Sequence, residues 1–213
     1  MLENVSIFTH SSIQITAADE TKIYFDPFGI TDELNDADYI FITHSHYDHF
    51  SPEDILKVKK ENSKIVVTSD LSQKAKDLGF KEENVQIALP DTHYILGAIE
   101  FDTIPAYNQT KEFHPLKNGW IGYIVNIDNV KYYIAGDTDY TPEAASVKCD
   151  VAMLPIGGTY TMDPHEAAKL ANAIHPKYVV PTHYGSIVGT PKDADIFISL
   201  VDKDINCVKL IHF

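Results

Sequence analysis

The eight residues Thr43-His44-Ser45-His46-Tyr47-Asp48-His49-Phe50 gather three of the chain's ten histidines and a carboxylate into one short stretch. A fold built around it must give those side chains something to hold, because clustered imidazoles and carboxylates are the donor set of a cation. The preceding Tyr39-Ile40-Phe41-Ile42-Thr43 reads as a buried strand. Behind the cluster, Ser51-Pro52-Glu53-Asp54 has the cap residue, the proline and the first-turn acids that open a helix, expected to run to about Lys60. The cluster is therefore a loop between two rigid elements, where binding groups usually sit. On an extended segment His44 and His46 project to the same side and can reach one cation, while Asp48 and His49, in the turn, can reach a second.

Two further strand ends supply ligands of the same kinds. Lys131–Ala135 runs into Gly136-Asp137-Thr138-Asp139, where the glycine permits a sharp turn, and Tyr178–Pro181 runs into Thr182-His183-Tyr184-Gly185. Other expected strands are Val5–Thr9, Ser12–Thr16, Lys22–Phe25, Lys64–Thr68, Val85–Leu89, Ile95–Ile104, Trp120–Ile127, Val151–Leu154 and Cys207–His212. Helices are expected near Asp70–Leu78, from Asp163-Pro164-His165-Glu166 to Ile174 with Glu166 completing a capping box, and from Thr190-Pro191 to Val201. That order predicts an α/β fold, a four-layer αββα sandwich of two mixed β-sheets flanked by helices, with residues 1–213 as a single domain.

Charge narrows the partners. The net charge is −14 and all 17 basic residues are lysines, so the bidentate guanidinium grip on phosphate and guanine is absent. No nucleic acid is expected as a partner, and a small-molecule substrate is. No apolar run approaches the roughly 20 residues of a membrane span. The opening MLENVSIFTH lacks the pattern of a signal peptide, so the expectation is a cytoplasmic protein. Cys149 and Cys207 have no metal-ligand spacing and read as small buried hydrophobes.

His44-Ser45-His46-Tyr47-Asp48-His49, Gly136-Asp137-Thr138 and His183-Tyr184-Gly185 together resemble the metal-binding motifs of the metallo-β-lactamase superfamily. The openings Thr9-His10-Ser11 and Phe25-Asp26-Pro27-Phe28 are similar to its cytoplasmic metal-dependent hydrolase branch, related to ascorbate-6-phosphate lactonase. The resemblance implies that His44 and His46 hold one metal, that Asp48, His49 and His183 hold a second, and that Asp137 bridges both. A further histidine should complete the first shell. Ile104-Pro105-Ala106-Tyr107-Asn108 puts an asparagine in its place, which leaves His114 or Asn108 for that role, or else a weakened or single-metal site.

The implied activity is hydrolysis of a small ester, lactone or phosphodiester by a metal-bridging hydroxide, with Asp48 also catalytic. The ligand set suits two Zn²⁺ first and also accommodates Mn²⁺ or Fe²⁺. His10, Tyr107, Asn108, His165 and Tyr184 are the candidate substrate contacts. The alternatives are a non-catalytic metal-binding module and a nuclease of the same superfamily; nothing in the sequence sets an oligomeric state.

Overall fold

The computed structural model describes Met1–Phe213 and divides into two compact units, Met1–Leu89 and Pro90–Phe213. Each is built on one mixed β-sheet whose strands lie side by side in chain order.

In the first unit β1 (Val5–Thr9), β2 (Ser12–Thr16) and β3 (Lys22–Phe25) form an antiparallel meander. β4 (Ala37–Phe41), β5 (Lys59–Val67) and β6 (Val85–Ile87) then add in parallel. Parallel neighbours need a crossover, and α1 (Pro52–Val58) and α2 (Ser72–Asp77) supply the last two. Ile40, Ile42, Ile65 and Val67 pack with Ile55 and Val58 of α1 and Leu71 and Ala75 near α2. Phe25, Phe41 and Val66, on the alternate positions, are equally closed from water. Burial of both faces explains why these strands read as unbroken apolar runs.

The second unit repeats the plan. β7 (His93–Leu96), β8 (Ile99–Pro105), β9 (Ile121–Ile127) and β10 (Val130–Ile134) form an antiparallel meander. After α3 (Pro142–Ala145) comes β11 (Val151–Pro155); α4 (Pro164–Ile174) leads to β12 (Tyr178–Thr182) and α5 (Pro191–Leu200) to β13 (Asn206–Cys207), all three strands parallel. No helix is long and apolar enough to cross a membrane.

Several expected boundaries move for identifiable reasons. The single strand expected over Ile95–Ile104 is a hairpin, broken at Gly97 with φ of +65°. The first helix stops at Val58, because Lys59 is already extended and opens β5. The Asp70–Leu78 helix is a 3₁₀ turn, Ser69–Leu71, followed by α2. α3, capped by the Thr141 side chain, escaped the sequence reading because it spans barely one turn. Asp163 does cap α4, accepting from His165 and Glu166 N–H, but Glu166 does not close a capping box. Its carboxylate instead accepts from Tyr140 N–H at 2.9 Å. The reciprocal box occurs at Thr190 and Asp193.

Candidate metal centre

In the first unit the chain leaves β4 at Phe41 and tightens into a turn, with His49 and Phe50 N–H both donating to His46 C=O. His44, Asp48 and His49 are buried behind that turn. Asp26, at the end of β3, organises the loop: its carboxylate accepts Thr43 N–H at 2.8 Å, Thr43 Oγ1–H at 2.7 Å and His49 Nδ1–H at 2.7 Å. Since the Thr43 hydroxyl spends its proton on Asp26, its oxygen accepts from His44 Nδ1 at 3.0 Å. Both imidazoles thus carry their proton on Nδ1, which leaves Nε2 as the nitrogen able to ligate. Burial pushes the Asp26 carboxyl above its ordinary value, and His49 and Thr43 oppose that rise.

Donor atoms then converge. His44 Nε2 lies 3.1 Å from His46 Nδ1, and His10 Nε2 lies 3.2 Å from Asp48 Oδ2. His49 Nε2 approaches the same Asp48 oxygen at 3.6 Å. Two ligands at about 2.0–2.1 Å from one tetrahedral ion sit roughly 3.3–3.4 Å apart, so these spacings fit donors sharing a cation. His10 and Asp26 hold φ of +52° and +45°, the left-handed region that costs a residue other than glycine free energy.

In the second unit the donors come from separate strand ends. Gly136, with φ of +64°, turns the chain out of β10 and leaves Asp137 at its tip. His183 follows β12 directly and takes φ of +56°. His114 lies on the loop between β8 and β9. Asp137 Oδ2 is 3.2 Å from His114 Nε2 and 3.1 Å from His183 Nε2, so one carboxylate oxygen gathers two imidazoles. All three residues are buried. Gly157 passes so close to the His183 loop that a Cβ there would stand 2.4 Å from His183 C=O, which locks the loop's course.

A profile of the β-lactamase superfamily domain matches residues 4–183 of the chain. The chain belongs to the metallo-β-lactamase superfamily. A relative named a UPF0173 metal-dependent hydrolase, from Thermococcus kodakarensis, is 34% identical over 198 residues, covering 84% of each chain. The crystal structure of a metal-dependent hydrolase from Parabacteroides distasonis superposes with a TM-score of 0.81 at 29% identity, covering 98% of this chain and 93% of that one. Igni18, a metallo hydrolase from Ignicoccus hospitalis, shares the fold with a TM-score of 0.75 at 23% identity over 96% of this chain and 93% of its own. With this superfamily fold, the two mixed sheets flanked by helices agree with the expected fold class.

Within each unit the structure brings the expected superfamily ligands together: His44 with His46, Asp48 with His49, and His114 and His183 with Asp137. His10, expected only as a substrate contact, stands at ligand distance from Asp48. Asn108 faces His114, accepting its backbone N–H and its Nδ1–H. Tyr107 meets the loop after Asp137 through its backbone, whose C=O accepts Asp139 N–H at 3.0 Å and whose N–H donates to Thr138 Oγ1 at 3.2 Å. Tyr107 donates its hydroxyl to Glu143 at 3.0 Å, and His165 is exposed on the first turn of α4. Tyr184 is buried against the Phe213 ring and lines a cavity of about 480 Å³ with Pro191, Lys192, Asp195 and Lys209; no candidate ligand lines that cavity.

Asp26 and Thr43 were missed by sequence reasoning as ligand anchors, as was Asp139. Asp26 had a signal, since it ends a strand in Phe25-Asp26-Pro27-Phe28, but its target 23 residues on is visible only in the fold. Burial pushes the Cys149 and Cys207 thiols up to about 12 and about 11, so neither offers a thiolate at neutral pH.

Proposed function

We propose that the protein is a hydrolase holding two divalent cations, Zn²⁺ in first place, with ligands drawn from both halves of the sequence, and that it cleaves a small ester, lactone or phosphodiester. The observation carrying this reading is the set of donor pairs 3.1–3.2 Å apart, His44 with His46 and Asp137 with His114 and His183, with His44 and His49 anchored from behind through Nδ1. Membership of a superfamily with relatives named metal-dependent hydrolases supports the reaction class. By motif order His44, His46 and His114 would hold one cation and Asp48, His49 and His183 the other, with Asp137 as the shared carboxylate.

Cations bound there would supply a water whose pKa falls from 15.7 to roughly 7, and hence a nucleophile at neutral pH. The protein's own groups do the rest. Asp26 and Thr43 hold His44 and His49 in the ligating tautomer, so no reorganisation is needed when the cation arrives. Asp48 would take the proton released by the attacking water and pass it to the leaving group, with His10 Nε2, 3.2 Å from its Oδ2, steadying the carboxylate. High thiol pKa values leave Cys149 and Cys207 without a nucleophilic role. The net charge of −14 and the absence of arginine favour a small substrate over nucleic acid.

Elemental analysis of the purified protein, paired with turnover on a panel of lactones, activated esters and phosphodiesters, tests the reading. Bound transition metal and cleavage that disappears in His46→Ala and Asp48→Ala are expected. A protein without transition metal, or undiminished turnover in both metal-replete variants, would refute it; metal without any cleavage would favour a binding module.

A further inference from the structure

Asn108 stands where the superfamily's motif calls for a histidine, and its amide makes four hydrogen bonds. Oδ1 accepts from His114 N–H at 3.0 Å and from His114 Nδ1 at 2.9 Å. Nδ2 donates to Asp139 Oδ1 and to Tyr160 C=O, each at 2.9 Å. These four use the whole capacity of an asparagine side chain, two acceptor lone pairs and two donor hydrogens.

The arrangement has one consistent assignment of protons. A backbone N–H can only donate and a backbone C=O can only accept, so His114 N–H and Tyr160 C=O fix which end of the amide is oxygen. The oxygen can only accept, so the proton of His114 must sit on Nδ1. Nε2 is then the nitrogen able to ligate, and it is the atom that stands 3.2 Å from Asp137.

Asp139 in turn holds the amide. It is 2% exposed, and its Oδ1 accepts from Asn108 and from Lys111 Nζ at 2.5 Å, while Oδ2 accepts Gln109 N–H at 3.0 Å. Gln109 is tied through its own side chain to Tyr140 C=O. A connected path thus runs from Lys111, at the edge of the unit, through Asp139 and Asn108 to His114.

We propose that Asn108 and Asp139 are the positioning residues of His114, holding it as the Nδ1–H tautomer with Nε2 presented for coordination, so that position 108 has exchanged a ligand's role for an orienting one. This rests on the metal reading of the site. Partners of this kind behind a ligating histidine are worth about 10–100-fold in metal affinity. Loss of Asn108 lifts the selection against the Nε2–H tautomer, in which Nε2 cannot ligate.

The test uses metal-free protein first. Long-range ¹H–¹⁵N NMR should show His114 protonated on Nδ1 in the wild type and a shifted tautomer balance in Asn108→Leu. Competition for Zn²⁺ with a chromophoric chelator should then show affinity 10–100-fold weaker in Asn108→Leu. Asp139→Asn, a smaller disturbance should Asn108→Leu fail to fold, should weaken affinity several-fold. A wild-type His114 protonated on Nε2, or an Nδ1–H tautomer and Zn²⁺ affinity unchanged in a folded Asn108→Leu or Asp139→Asn protein, would overturn the proposal. Failure of the wild type to bind Zn²⁺ would instead overturn the metal reading, while the tautomer measurement would still decide whether Asn108 orients His114.

Discussion

The two units reach similar donor chemistry by opposite routes. The first gathers His44, His46, Asp48 and His49 in a single loop after β4 and brings only Asp26 and His10 from elsewhere in its sheet. The second brings His114, Asp137 and His183 from three loops, and anchors its histidine with an amide, Asn108, where the first uses a carboxylate, Asp26. A contiguous loop fixes ligand spacing largely through local turn geometry. A set drawn from separate strand ends depends on the register of the parallel sheet, which places Pro155 beside Thr182 and Ile134 beside Met153.

If both routes serve one hydrolytic centre, removing a donor from either should be equally ruinous. His46→Ala and Asp137→Ala are each expected to lower turnover on the order of 10³-fold, the worth of several kcal/mol of charge stabilisation, and to lower metal content by elemental analysis. Retained metal and turnover in Asp137→Ala alone would break the equivalence and confine the chemistry to the first unit.

The anchors should differ in stability. Asp26→Ala strands His49 Nδ1–H and Thr43 N–H in a dry interior and should cost about 3 kcal/mol, read as a lower urea midpoint, besides weakening metal affinity about 10–100-fold. An unchanged midpoint would show that this loop holds its shape without its anchor. Backbone strain should register less. Gly136→Ala places a Cβ at φ of +64° and should cost about 1–2 kcal/mol, slightly more than the loss of about 1 kcal/mol expected for Ser51→Ala, the cap of α1 behind the first unit's loop. The reverse order in urea melts would mean that the strand-end set tolerates distortion better than the contiguous one.

The smallest effect concerns the thiols, which only the second unit contains. Their folded values of about 12 and about 11 lie above the ordinary value of 9.0. The folded state therefore gains from its protonated thiols at pH below that ordinary value and loses the advantage as pH rises towards the folded values. Iodoacetamide should label both thiols slowly at pH 8 and much faster in urea, with no change in metal content at neutral pH.

Much of this was legible in the sequence, for physical reasons that vary by residue. The loop from His44 to His49 announced itself because its ligands are adjacent in the chain and bracketed by a strand and a well-capped helix. Asp137 and His183 were legible one strand end at a time, and the superfamily's motif order joined them. Cap residues placed α1, α4 and α5, since a cap is a local hydrogen bond. The Ile95–Ile104 hairpin was not legible, because Gly97-Ala98 interrupts an alternating pattern that continues on both sides.

The sequence by itself determined the kind of chemistry, which donors exist and which strands carry them, because residue identity and short-range periodicity suffice for those. Tertiary structure alone decided which nitrogen of each anchored histidine faces its neighbours and that His114, with Asn108 at its Nδ1, comes within 3.2 Å of Asp137. Those outcomes turn on hydrogen bonds such as Asp26 to His49, Asp139 to Asn108 and Asn108 to His114, whose partners stand 23, 31 and 6 residues apart. No local propensity encodes such pairings; they exist only once the sheets have set their register.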